Sequence, residues 1–187
     1  MDRQRASALQ LVPDNYPTLL GYVLLVGHAR PEFVPRAERA ELRDYLPSVI
    51  DAAAHAEFAV YKRLPQIDLS PLADCFVVDG PAYQRIKNIA EEHHQDGKTL
   101  AEPSYNPSTM RVLSVKLVEL SSSSAFIRSK EYWYLRWWSL PKNRYVYVYN
   151  QTSSQRYFLI RRAGKWLVEA NAYPSPRATT PLRKPKL

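Results

Sequence analysis

The chain has 187 residues, 45% of them hydrophobic and 24% charged, with a formal net charge of +8. That length suits one domain with extensions and a sizeable core, and the balance is that of a globular chain, not a low-complexity or fibrous one. The single cysteine, Cys75, excludes an intrachain disulfide framework and a cysteine-rich zinc site.

The charge is unevenly placed. Residues 1–109 hold 11 basic and 15 acidic side chains, residues 110–173 hold 11 and 3, and residues 174–187 add 4 basic and no acidic ones. The basic half favours an anionic partner, although lysines and arginines at outward strand positions give the same count without one. The opening MDRQRASALQ carries charges where a signal peptide needs an apolar core. The longest apolar stretch, Leu19 to Gly27, is too short to span a bilayer. With the lone cysteine, these features predict a cytoplasmic protein without a membrane partner.

Residues 1–35 are punctuated by Pro13, Pro17, Pro31 and Pro35 and read as an N-terminal extension that packs on the body through Leu19 to Val26. Arg36 to Leu64 reads as helix, with Val49, Ala53, Ala56, Val60 and Leu64 at spacings of three and four. Pro47 either kinks it or opens a new helix after a break near Tyr45-Leu46. DLSPLADCF predicts a short turn with Ser70 as the cap and Pro71 in the first turn. A second helix runs from Pro81 with Ala82, Ile86, Ile89 and Ala90 on its buried face, and Gly97 stops it.

From Met110 the period changes to two. MRVLSVKLVEL predicts a strand with Leu113, Val115 and Leu117 on one face, and AFIRSKEYWYLRWW a long one. RYVYVYN, QRYFLIRR and KWLVEANAY follow, the last two joined by a hairpin turn at Ala163-Gly164. Residues 174–187, with four prolines and four basic residues, predict a disordered tail. The fold class is therefore α+β: N-terminal helices packed on a curved antiparallel sheet of about four to five strands, in one domain over residues 36–173.

The run EFAVYKRLPQIDLSPLADCF, the helix from Ala82 to His94 and the closing strands RYFLIRRAGKWLVEANAY resemble the NTF2-like (cystatin-like cone) superfamily. The pattern Glu131-Tyr132-Trp133 ahead of two long strands is closer to the domain that ends plastid-division proteins and occurs in bacterial multidomain proteins. The resemblance covers roughly residues 46–173 and implies the cone fold. That superfamily holds enzymes, transport factors and interaction modules, so it implies no activity.

Alternation along the long strand places Glu131, Trp133 and Trp137 inward, and Tyr157 joins them as a candidate ligand-binding set in the cone interior. Glu131 there is either a general acid/base or ligand anchor, or a carboxylate satisfied by an arginine or tyrosine from a neighbouring strand. The other face carries Arg128, Lys130, Tyr132, Tyr134, Arg136 and Trp138, a candidate partner-binding surface. His93 and His94 lie about 100° apart on their helix and lack a third ligand, so they read as a solvated helix end with no metal. His55 is a second polar candidate for chemistry in the cone, and Cys75 a small core side chain. No residue is assigned as catalytic, and no cofactor is expected. The first expectation is a non-enzymatic binding or scaffolding module acting through protein–protein contact on the outer sheet face, with a protein partner or in a homodimer. The alternatives are a dehydratase- or isomerase-type enzyme using Glu131 or His55, and nucleic-acid binding through the basic face and tail.

Overall fold

A computed structural model describes residues 34–100, 105 and 107–172 of the chain. The expected packing of Leu19 to Val26 and the expected disorder of 174–187 lie outside the described residues.

Helix α1 spans Arg36–Arg63 and buries Leu42, Leu46, Val49, Ile50, Ala53 and Val60 along one side. It runs unbroken through Pro47, so the break at Tyr45-Leu46 does not occur. Proline removes one backbone bond, but the apolar stripe continues on both sides of it and holds the two halves on the same core. The Ser48 hydroxyl donates to the Tyr45 carbonyl at 2.7 Å, satisfying one carbonyl in that region. After α1 comes a short 3-10 turn, Ser70–Leu72. Ser70 opens the turn and does not cap it: Leu69 holds the cap position, and the Asp68 carboxylate before it accepts from the Ser70 amide at 2.9 Å and is paired with Arg63.

Helix α2, Pro81–Gln95, buries Ala82, Ile86 and Ala90. It stops at Gly97, whose φ is +62° and where a Cβ would meet Pro141 Cδ at 2.8 Å. Both facts require glycine there. The chain then enters β1, Lys98–Thr99, followed by β2 (Thr109–Leu120), β3 (Ser124–Ser139), β4 (Arg144–Arg162) and β5 (Lys165–Ala172). Pairing among these five strands is antiparallel. β3 is central, with β1 and β2 on one side at its two ends, then β4 and β5 on the other. The segments RYVYVYN and QRYFLIRR are one continuous strand, β4, because no glycine or proline interrupts the residues between them. The far edge of β5 is met by the chain after the 3-10 turn, where the Val77 amide donates to the Val168 carbonyl at 2.9 Å and the Val168 amide to Cys75 at 2.8 Å.

The helices lie against one sheet face and share a core with Trp133, Leu135, Trp137, Tyr157, Leu159, Trp166 and Val168. Burial along β3 alternates strictly from Ala125 to Ser139, as period two requires. β2 departs from it. Register shifts between Val112 and Ser114 and between Leu117 and Glu119 insert one extra residue each. Leu113 is consequently turned out to solvent, and Val112, Val115, Leu117 and Leu120 face the core instead of Leu113, Val115 and Leu117.

Candidate functional site

β3 divides its side chains between two sites. On the inner face Glu131 is 0% exposed. One carboxylate oxygen accepts from the Ser129 hydroxyl at 2.5 Å and from the Tyr157 hydroxyl at 2.8 Å, and the other accepts from the Trp133 indole N–H at 2.8 Å. Three of the roughly four lone-pair directions of the carboxylate are therefore taken. Burial raises the Glu131 pKa against the opposing pull of these three bonds. Burial also pushes the Tyr157 phenol well above its usual value, with the nearby Glu131 charge adding to it. Tyr157 comes from β4, so the neighbouring-strand tyrosine is the arrangement found.

A second buried carboxylate, Glu57 of α1, accepts from the Tyr61 hydroxyl at 2.8 Å and from the Arg85 guanidinium of α2 at 2.8 Å. Arg85 also donates to Asn171 of β5 at 3.1 Å. These bonds tie both helices to the last strand. The sequence held no sign of this pair, because its members lie on separate elements and only packing brings them together.

The structure thus unites Glu131, Trp133 and Tyr157, all buried. Trp137 is buried elsewhere, edge-on to Tyr61 at 6.1 Å and against the His93 ring at 3.9 Å. His93 is therefore not part of a solvated helix end: it is half-buried, and its Nδ1 is enclosed without a hydrogen-bond partner. Burial, with Lys98 nearby, pushes its pKa down to about 4. His94 is exposed, its Nδ1 2.7 Å from the Pro65 carbonyl. His55 is 58% exposed beside Asp51 and does not reach the interior. A depression of about 160 Å³ between α1 and Trp166, bordered by Val49 and Cys75, contains none of the four interior candidates. It is smaller than the roughly 300–1,000 Å³ of ordinary ligand sites. Among the described residues no group of three or more His, Cys, Asp or Glu side chains is placed to hold a metal.

The outer face is different in character. Arg128 and Lys130 are exposed, while Tyr132, Tyr134, Arg136 and Trp138 are half-buried. Trp138 meets Tyr145 edge-on at 4.9 Å, and the Arg136 guanidinium stacks 3.6 Å above the same ring. In the other direction the register sets Lys116 of β2 and Arg156 of β4 directly opposite Arg128, and Arg111 opposite Tyr132. Arg111 is the functional candidate that alternation alone missed, since the insertion at Leu113 shifts the phase of the residues before it; Lys116 keeps its outward phase, and the register sets it opposite Arg128. On β2 to β4 the outward cations are Arg111, Lys116, Arg128, Lys130, Arg136 and Arg156, against the single carboxylate of Glu119 among the described residues. No helix among the described residues is long and apolar enough to cross a membrane.

No family model and no curated protein matches the chain. Solved structures do. The intermembrane space region of the chloroplast protein ARC6 is 13% identical, covers 71% of this chain and 96% of its own, and superposes with a TM-score of 0.52. An aromatic ring hydroxylase candidate from Novosphingobium aromaticivorans is 12% identical, covers 80% and 96%, and gives 0.54. A looser superposition, with a TM-score of 0.39 at 12% identity over 89% and 94%, is with an NTF2-like protein of cystatin-like fold from the same organism. These likenesses are of fold.

Proposed function

We propose that this chain, whose fold is the NTF2-like (cystatin-like) cone, is a non-enzymatic binding or scaffolding module that holds a protein partner on the outer face of its sheet. The observation that carries this reading is the charge on that face. Lys116 and Arg128 stand directly opposite each other on adjacent strands, a pairing of like charges that destabilises an isolated sheet. An anionic partner removes that repulsion on binding. Two copies meeting through this face would instead bring two positive surfaces together, which disfavours a homodimer built this way.

The interior supports the same reading. A general acid or base needs a lone pair or proton within reach of a substrate. Glu131 is enclosed by Ser129, Trp133 and Tyr157, all of them its own bonded neighbours. The carboxylate organises the core, and the sheet exterior is left for recognition.

The test is affinity capture from native lysate with the wild type and an Arg128→Glu/Lys130→Glu variant, alongside sedimentation of both. The reading expects the two to melt alike and the variant to lose proteins that the wild type holds. A wild type that captures the same set as the folded variant contradicts it.

A further inference from the structure

We infer that the segment this face receives is acidic with interspersed aliphatic side chains, and that it lies across the β2 side of the sheet, not on the aromatic end. The inference rests on the outer face being the docking surface. The aromatic end is already engaged within the chain: Trp138 is turned edge-on to Tyr145 at an interplanar angle of 86°, and Arg136 covers that ring. Single-stranded nucleic acid needs open ring faces for its bases to stack on, and Arg136 already occupies a face of Tyr145.

The β2 side has what the aromatic end lacks. Its insertions leave Leu113 51% and Val118 40% exposed, Leu113 between the cations Arg111 and Lys116 and Val118 just beyond Lys116, on the strand that pairs with Arg128 and Lys130. Cations with exposed aliphatics between them complement carboxylates with aliphatics between them. Among the described residues β2 pairs only with β3. Yet its two insertions break the regular spacing that an added strand would need. Recognition is therefore through side chains across β2 and β3, not by extension of the sheet.

Fluorescence anisotropy with three labelled probes tests this: a short peptide alternating glutamate and leucine, its lysine–leucine counterpart, and an oligothymidylate of equal length. The glutamate–leucine peptide is expected to bind, and added salt to weaken it. Lys116→Glu/Arg128→Glu should weaken it roughly tenfold. Leu113→Ser/Val118→Ser should weaken it too, whereas Tyr134→Ser/Trp138→Ser leaves it unchanged. Circular dichroism of each variant, with the milder Lys116→Thr in reserve, controls for folding. Tighter binding of oligothymidylate, or indifference to charge reversal, overturns the inference. If Tyr134→Ser/Trp138→Ser alone abolishes lysate capture, the outer-face reading stands and this inference falls. If neither that pair nor charge reversal affects capture, both fall.

Discussion

Lys116 and Arg128 repel across one strand pair, and that repulsion is measurable in the free protein. Lys116→Thr should raise unfolding stability by roughly 0.2–1 kcal/mol, since like charges opposite one another cost about that much. The same change should weaken binding of the acidic peptide. A residue kept for structure would not gain stability on removal. Two interior groups give opposite pH signatures. An unfolded glutamate titrates near 4.5, and burial raises Glu131 above that. The folded chain then binds more protons, so the stabilisation is complete below 4.5 and is lost as pH rises through the folded pKa. Glu131→Gln should abolish that loss in denaturant titrations across the window, because the amide is neutral throughout. His93 is the reverse. Its pKa falls from 6.5 to about 4, so its contribution is complete above 6.5 and is lost as pH falls towards 4. His93→Phe keeps a ring against Trp137, removes the enclosed Nδ1, and should flatten that acid limb.

Among the elements, the β4–β5 hairpin was readable from its turn, and both turn residues have positive φ: +48° at Ala163 and +80° at Gly164. Glycine is at ease there, but alanine is not, and Asn-Gly is the favoured pair in such turns. Ala163→Asn should therefore stabilise the protein by about 1 kcal/mol, the order of the left-handed penalty for an ordinary residue; thermal unfolding would show it. β3 was equally legible, because a strand with one face on a core must alternate and no insertion disturbs it. β2 was not. Its period reads cleanly as sequence, but the two extra residues appear only once its partner strand is fixed, and they move Arg111 to the outer face and Leu113 into solvent. Pro47 misled for a related reason: a local rule for breaking helices lost to the packing on either side. The same divide runs through the site. The β3 half of the outer face could be read from one strand, whereas its β2 half, and the Glu57–Arg85 pair inside, depend on contacts between elements.

For the molecule as a whole, the cone fold separates two kinds of polar chemistry. The buried carboxylates Glu57 and Glu131 are bonded in the core by Ser129, Trp133, Tyr157, Tyr61 and Arg85. The cations are displayed on the sheet exterior, where Glu119, opposite Phe126, is the one outward carboxylate on β2 to β4 among the described residues. On the proposed reading, the interior serves stability and the exterior recognition. Quantitative lysate capture by three proteins compared side by side tests that division most directly: wild type, Lys116→Glu/Arg128→Glu and Glu131→Gln. The account predicts that Glu131→Gln captures what the wild type captures, and that the charge-reversed variant loses it while remaining folded. Capture that survives charge reversal but disappears in a folded Glu131→Gln variant would contradict it and place recognition inside the cone.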